Sequence, residues 1–284
     1  MLSKESTGYT IMSTCIVTMF YNLNTRARPL EFYLQHGRPT LEIDCPMVVF
    51  CDAETRPLLA GIRGYRETLY VEKSIFDYEH VRAWLPIVRK NRSVSAHYSA
   101  PDQRNTPEYM MVTSFKPLAL YLAKQIRPAK YYMWLDMGAS HVARNFTPSI
   151  YRILEAPRPK IACCYIHYRP KEELYPMVRF LENGGPCGVA ATLFTVEADY
   201  VERFYTAMFS VLYEQITDGV GHNEEQAMVY VHDKHPEWFD LYFGDYGSTA
   251  VNYHRVLEDQ YAVNTYFIPR APADLVALAR KQME

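Results

Sequence analysis

The chain has 284 residues, 49% of them hydrophobic, which is enough for one large α/β domain with a sizeable core. Its formal net charge of −2 and the lack of any basic run exclude a nucleic-acid footprint, and no segment is long and apolar enough to read as a membrane span or a signal peptide. Six cysteines without a CxxC pair, most of them inside apolar runs, exclude a disulfide scaffold and indicate a reducing, cytoplasmic setting.

Residues 1–12 read as a disordered leader, and 13–284 as a single domain. Thr14–Tyr21 (TCIVTMFY) is β-branched and aromatic and reads as a strand. A polar loop follows, and Pro29 opens a helix to about His36. Tyr21 at this strand end, with Arg26 or Arg28 in the loop, is where a nucleotide and its phosphates would meet the chain, although solvated surface arginines would look the same. Pro46–Cys51 is a second buried strand ending in Asp52, which would either bind a base or ribose or cap the helix that begins near Thr55 and runs to about Tyr65. Thr68–Lys73 is a third strand, and Asp77–Lys90 an amphipathic helix. Residues 91–105 are polar and irregular. From Thr106 to Ile126 the apolar spacing is helical on both sides of Pro117, so a helix is kinked or begins there. Lys116 stands at that point, where a cation opposes the helix dipole unless it faces a phosphate.

The segment YYMWLDMGASH, residues 131–141, organises the chain. Tyr131–Leu135 suits a strand buried on both faces, with Trp134 inside it, and the small residues after Met137 stop it. Asp136 thus sits at a strand's carboxyl end, where a carboxylate can ligate Mg²⁺ or Mn²⁺ on a diphosphate, or merely cap the next turn. A helix to Glu155 and a strand Ile161–Tyr168 come next. Glu182–Gly188 is the most turn-rich stretch and suits either close approach to a ligand or a plain connection. Strand Val189–Val196 and a long helix Glu197–Ile216 follow, then a break at Gly219–His222. Asn223 and Gln226 match a capping box, which fixes Glu224 and Glu225 in a first turn as dipole partners or as carboxylates projecting into a cleft. In FDLYFGDYGSTAVNYHRV, residues 239–256, a strand, a turn and a short segment supply Asp245 and His254. His232 and His235 lack a third zinc ligand, and no Walker loop, GxGxxG or GxSxG is present. Residues 269–284 close the chain as a helix.

CIVTMFYNL, PMVVFCD, TSFKPLAL, YYMWLDMGASHV, NEEQ and FGDYGSTAVNYH, in that order over roughly residues 13–255, resemble the HtrL/YibB (WlaTC) family of glycosyltransferases. The resemblance implies an α/β, GT-A-like fold, a mixed and mainly parallel sheet flanked by helices. Its nucleotide-binding part would span about 13–142, its acceptor part about 143–268 and a C-terminal helix 269–284. It also implies a nucleotide-sugar donor, a UDP-sugar by analogy, a glycan acceptor in surface-glycan or lipopolysaccharide synthesis, and association at most with the periphery of a membrane. GT-A enzymes carry Asp-x-Asp for Mn²⁺ or Mg²⁺. Here Asp136 is one Asp but Gly138 stands at the second, so the shortfall falls to His254, Asp245, His141 or water. On this reading Tyr21, Arg28, Asp52, Lys116 and Trp134 meet the nucleotide. Glu225 is then the base that deprotonates the acceptor, with Glu224 second. The competing reading is a non-catalytic scaffold that binds a sugar nucleotide or a partner through its tyrosines. A nucleotidyltransferase would need a basic, Gly-rich opening loop, which is absent.

Overall fold

A computed structural model describes residues 13–23, 28–94, 106–168, 171–175, 188–217, 224–255, 257, 260, 263–264, 268 and 270–284. Among these described residues seven strands form one sheet: β1 (Thr14–Phe20), β2 (Met47–Cys51), β3 (Thr68–Glu72), β4 (Tyr131–Leu135), β5 (Ile161–Tyr165), β6 (Val189–Glu197) and β7 (Phe239–Phe243). Their order is β3-β2-β1-β4-β6-β5-β7. Every neighbouring pair is parallel except those of β6, which runs antiparallel to β4 and to β5. The sheet is therefore mixed and mainly parallel and is flanked by helices, as the GT-A-like expectation required.

The sequence explains why the sheet is covered on both faces. β1, β2, β4 and β5 are buried at every position, which only a two-sided covering allows. Alternate residues serve opposite layers: Cys15, Val17 and Met19 enter one core cluster, Ile16 and Phe20 the other. The first layer is completed by helices α3 (Glu79–Val94), α4 (Pro107–Ser114), α5 (Lys116–Ile126), α8 (Ala198–Thr217) and α9 (Glu224–Lys234). The second is completed by α1 (Leu30–Leu41), α2 (Arg56–Arg63) and α6 (Phe146–Glu155). The described residues also include a short α7 (Lys171–Leu174) and the C-terminal α10 (Ala273–Met283).

Several boundaries move. α1 continues to Leu41 instead of stopping near His36, passing through Gly37, whose missing side chain leaves room for Met137. Residues 91–94 extend α3, and residues 95–105 lie outside the described set, as do the 1–12 leader, Arg26, the turn at 182–187 and the break and N-cap at 218–223. Between Thr106 and Ile126 there are two helices. Thr106 Oγ1 caps α4 by accepting from Tyr109 N at 3.1 Å, and α5 opens on Lys116-Pro117, a first turn where proline loses no hydrogen bond.

Arg63 is a structural device that the sequence did not advertise. It is fully buried, and its five N–H donors go to Thr68 Oγ1 and to the carbonyls of Leu41, Ile43, Cys45 and Glu67. One side chain thus ties the end of α1 to the entries of β2 and β3.

Candidate functional site

β1 has β2 on one side and β4 on the other, both parallel to it. Connections that leave a strand in opposite directions open a crevice at the carboxyl ends, the usual ligand position in an open α/β sheet. Tyr21 follows the end of β1, and Asp136 the end of β4.

Asp136 is held first by its own strand. Trp134 lies two residues earlier, hence on the same face, and its Nε1 donates to Asp136 Oδ1 at 2.7 Å. Lys116 Nζ reaches the same oxygen at 2.8 Å, Glu224 Oε1 at 2.6 Å and the Ala191 carbonyl at 3.0 Å. It also lies 5.4 Å from the centroid of the Trp134 ring. The side chains of Lys116 and Glu224 are 6% and 5% exposed, whereas that of Asp136 is 35% exposed. Asp136 is thus the face of this centre toward solvent, and the other two are its backing.

This geometry corrects two expectations. An ammonium has three N–H donors, and all three of Lys116 are used inside the protein, so none is left to face a phosphate. Trp134 is buried under Lys116, so its ring offers no stacking face to a base.

One ammonium shared by two carboxylates leaves the centre net negative. Burial alone would lower Lys116, but Asp136 and Glu224 reverse this and hold it above its ordinary range. Burial pushes the Glu224 carboxyl up to about 7, the charges of Glu225 and Asp136 adding to the rise and Lys116 opposing it.

Glu225 is tied down on both oxygens. Oε1 accepts from Ala191 N at 3.0 Å and Oε2 from the Tyr246 hydroxyl at 2.6 Å. Ala191 therefore anchors both halves of the site, its C=O taking Lys116 and its N–H Glu225. The reason lies in β6, where the β5 ladder pairs Cys163 with Phe194 and then Cys164 with Ala190. Residues 191–193 bulge out of that ladder, which frees the main chain of Ala191 for side chains. Neither Ala191 nor Tyr246 was singled out from the sequence. The only signal was the small Ala190-Ala191 pair inside an apolar strand.

The remaining candidates are more scattered. Asp245 accepts from Ser248 N at 2.7 Å and pairs with Arg144 at 3.2 Å, so it stiffens the loop that presents Tyr246. The His254 Nε2 lies 3.0 Å from the Arg152 carbonyl, and burial together with the charges of Arg152 and Arg158 holds its pKa down. Among the described residues no three His, Cys, Asp or Glu side chains gather closely enough to hold a metal. The expected set Asp136, Asp245 and His254 is therefore not a preformed ligand group, since two of its members are engaged elsewhere. His141 is likewise drawn away, with Nδ1 on the Gly138 carbonyl. What does fit a divalent cation is Asp136 Oδ2, which makes no hydrogen bond among the described residues. Mg²⁺ characteristically takes one or two carboxylates and completes its shell with phosphate oxygens and water.

On the β1 side of the crevice, the Arg28 guanidinium lies 5.0 Å over Phe32, whose ring is 5.6 Å from His141. Arg28 and the turn after Asp136 thus share one rim. Tyr21 is buried, its hydroxyl beside that of Tyr78, and burial raises its pKa. Asp52 Oδ1 accepts from Thr55 N at 2.8 Å and Thr55 Oγ1 at 2.7 Å, which closes the turn leading into α2, whose N-cap is Thr55.

No protein-family model and no curated protein matches the sequence. Among solved structures, the chain is similar to mouse xyloside xylosyltransferase 1 in its apo form, at 11% identity and TM-score 0.44, over 81% of this chain and 84% of that one. It is similar to core-mannan synthase A (CmsA/Ktr4) from Aspergillus fumigatus in a Mn/GDP form, at 10% identity and TM-score 0.48, over 83% and 74%. The mannosyltransferase Ktr4p from S. cerevisiae in complex with GDP aligns at 10% identity and TM-score 0.41, over 76% and 65%. At these values the likeness is one of chain path.

Proposed function

We propose that the chain is a GT-A-type glycosyltransferase that binds a nucleotide-diphosphate sugar where β1 and β4 end and transfers the sugar to a hydroxyl of a glycan acceptor. The observation that carries this reading is the Lys116–Asp136–Glu224 centre at the switch point of the sheet. Burying an ammonium and a carboxylate is costly, and packed apolar residues would serve stability as well. Here the expense holds one open carboxylate in a fixed orientation. The resemblance of the WLDMGASHV and FGDY segments to the HtrL/YibB family supports the same assignment, with surface-glycan synthesis as its setting.

In this mechanism Lys116 and Trp134 aim Asp136, and Arg28, on the rim it shares with the turn after Asp136, meets a phosphate. Mn²⁺ or Mg²⁺ would be held at Asp136 Oδ2 and, when bound, would offset the charge of the departing diphosphate. Glu225 lies beside this centre, adjacent in the same first turn of α9 to Glu224 and held there by Ala191 N and the Tyr246 hydroxyl. In an inverting transfer it takes the proton of the acceptor hydroxyl; in a retaining one it only positions the acceptor.

The test is thermal stability and sugar release against UDP-, GDP-, dTDP- and CMP-sugars, with and without Mn²⁺, on the wild type and Asp136→Asn. Stabilisation by one nucleotide class together with turnover, both lost in the variant, is the expected result. The occupied oxygens of Glu225 and Asp136 Oδ1 favour a second reading, a sugar-nucleotide-binding scaffold without catalysis. Stabilisation without turnover across an acceptor panel would select it.

A further inference from the structure

We infer that the outer edge of β3 is a two-fold interface through which two copies of this chain join their sheets. β3 ends the sheet, with β2 as its one neighbour among the described strands. The ladder to β2 uses odd-numbered residues: the Glu67 carbonyl accepts from Met47 N at 3.2 Å, and Lys73 N donates to the Cys51 carbonyl at 2.8 Å. The main-chain groups of Thr68, Tyr70 and Glu72 therefore point outward, away from the sheet.

An antiparallel partner centred on Tyr70 satisfies all of these groups together. Tyr70 exchanges both N–H···O=C bonds with the partner's Tyr70, and Thr68 does so with the partner's Glu72. Only this centre overlaps the five strand residues completely. The side chains agree with it. On one face Leu69, 38% exposed, meets the partner's Val71, and Glu67 meets the partner's Lys73 at each end, an apolar pair flanked by opposite charges. On the other face the two Tyr70 rings meet at the axis, each backed by an Arg56 guanidinium 5.6 Å from its centroid. Leu58 in α2, 39% exposed, and Tyr65 in the turn between α2 and β3, 94% exposed, are further exposed apolar side chains of this connection.

Among the devices that blunt a free edge, β3 (TLYVE) has neither proline nor a bulge, and the charge of Glu72 is answered within the chain by Arg56 at 3.2 Å. The opposite edge contrasts with it: β7 is buried except at Asp240 and packs against α10.

The test is the solution mass of the full chain by light scattering and sedimentation. Wild type is expected at twice the chain mass. Lys73→Glu and Glu67→Lys, each of which sets like charges opposite one another, are expected to halve it, and the double variant to restore it. Glu67 also pairs with Arg127, and Lys73 Nζ lies 4.4 Å from the centroid of the Tyr78 ring, so a melting curve accompanies each variant. A wild-type monomer would overturn the inference and leave the edge to another protein or another segment of this chain. So would a dimer that survives both single charge reversals, since its interface must lie elsewhere.

Discussion

Lys116 answers three acceptors with three N–H donors, and its removal exposes what it balances. Lys116→Met keeps most of the stem volume but leaves Asp136 and buried Glu224 with no cation between them. Breaking a buried pair in this way is expected to cost about 3–5 kcal/mol, read from urea unfolding. Adding Glu224→Gln should recover part of that loss, because the stranded charge is gone. Trp134→Phe keeps one aromatic ring but deletes the donor to Asp136 and leaves a cavity where the rest of the indole packed, and is expected to cost about 1–3 kcal/mol of stability while lowering turnover more than donor binding. Asp136 was legible in the sequence because a buried strand ended on it beside small residues. Lys116 was legible as a cation misplaced at a helix start, but its partners were not. Tyr246 stays hidden for the same reason: its contact with Glu225 spans 21 residues and depends on a loop closing back.

Helices and strands set the acid response. His80 and His232 are partly buried, and the desolvation of their rings lowers each pKa from 6.5 to about 4. Between those values the unfolded chain binds more protons than the folded one, so stability rises with pH across that window. Their contribution is complete above about pH 6.5 and is lost as the pH falls through 4, on the order of 3 kcal/mol for each histidine. His80→Phe and His232→Phe should each flatten the fall of the urea midpoint between pH 6.5 and 4. Arg63→Ala belongs to this scale as well. It strands four carbonyls where α1, β2 and β3 meet, and the melting temperature is expected to fall by several degrees or more. Element positions were readable from apolar period and capping residues. The break at Phe115 was half readable, since proline fits both a kink and a first turn.

Across the whole molecule, the α/β class was legible from buried strands alternating with amphipathic helices. The reversed direction of β6 was not, because a fully buried strand reads the same in either direction and only its distant neighbours decide. Among the described residues no helix is long and apolar enough to cross a membrane, in line with the hydropathy of the sequence. If the switch-point crevice is the donor site, a nucleotide sugar at a hundred times its Kd should add about 2.7 kcal/mol to the stability of the folded state. For a domain of this size that is about 2–4 °C in Tm per kcal/mol. The shift should persist in Glu225→Gln, whose carbonyl and amide still span Ala191 and Tyr246, while turnover falls if Glu225 is the base.

The bulge at residues 191–193 makes the site answerable to spacing more than to spelling. Ala191 contributes only backbone, so many small residues at that position would leave the anchor intact. Removing one residue between Ala190 and Phe194 would instead shorten this three-residue bulge, shift the amide and carbonyl of Ala191 and release Lys116 and Glu225 together. A deletion scan through this strand, read beside a substitution scan of the same positions, is expected to show one gap-intolerant stretch whose letters are nearly free.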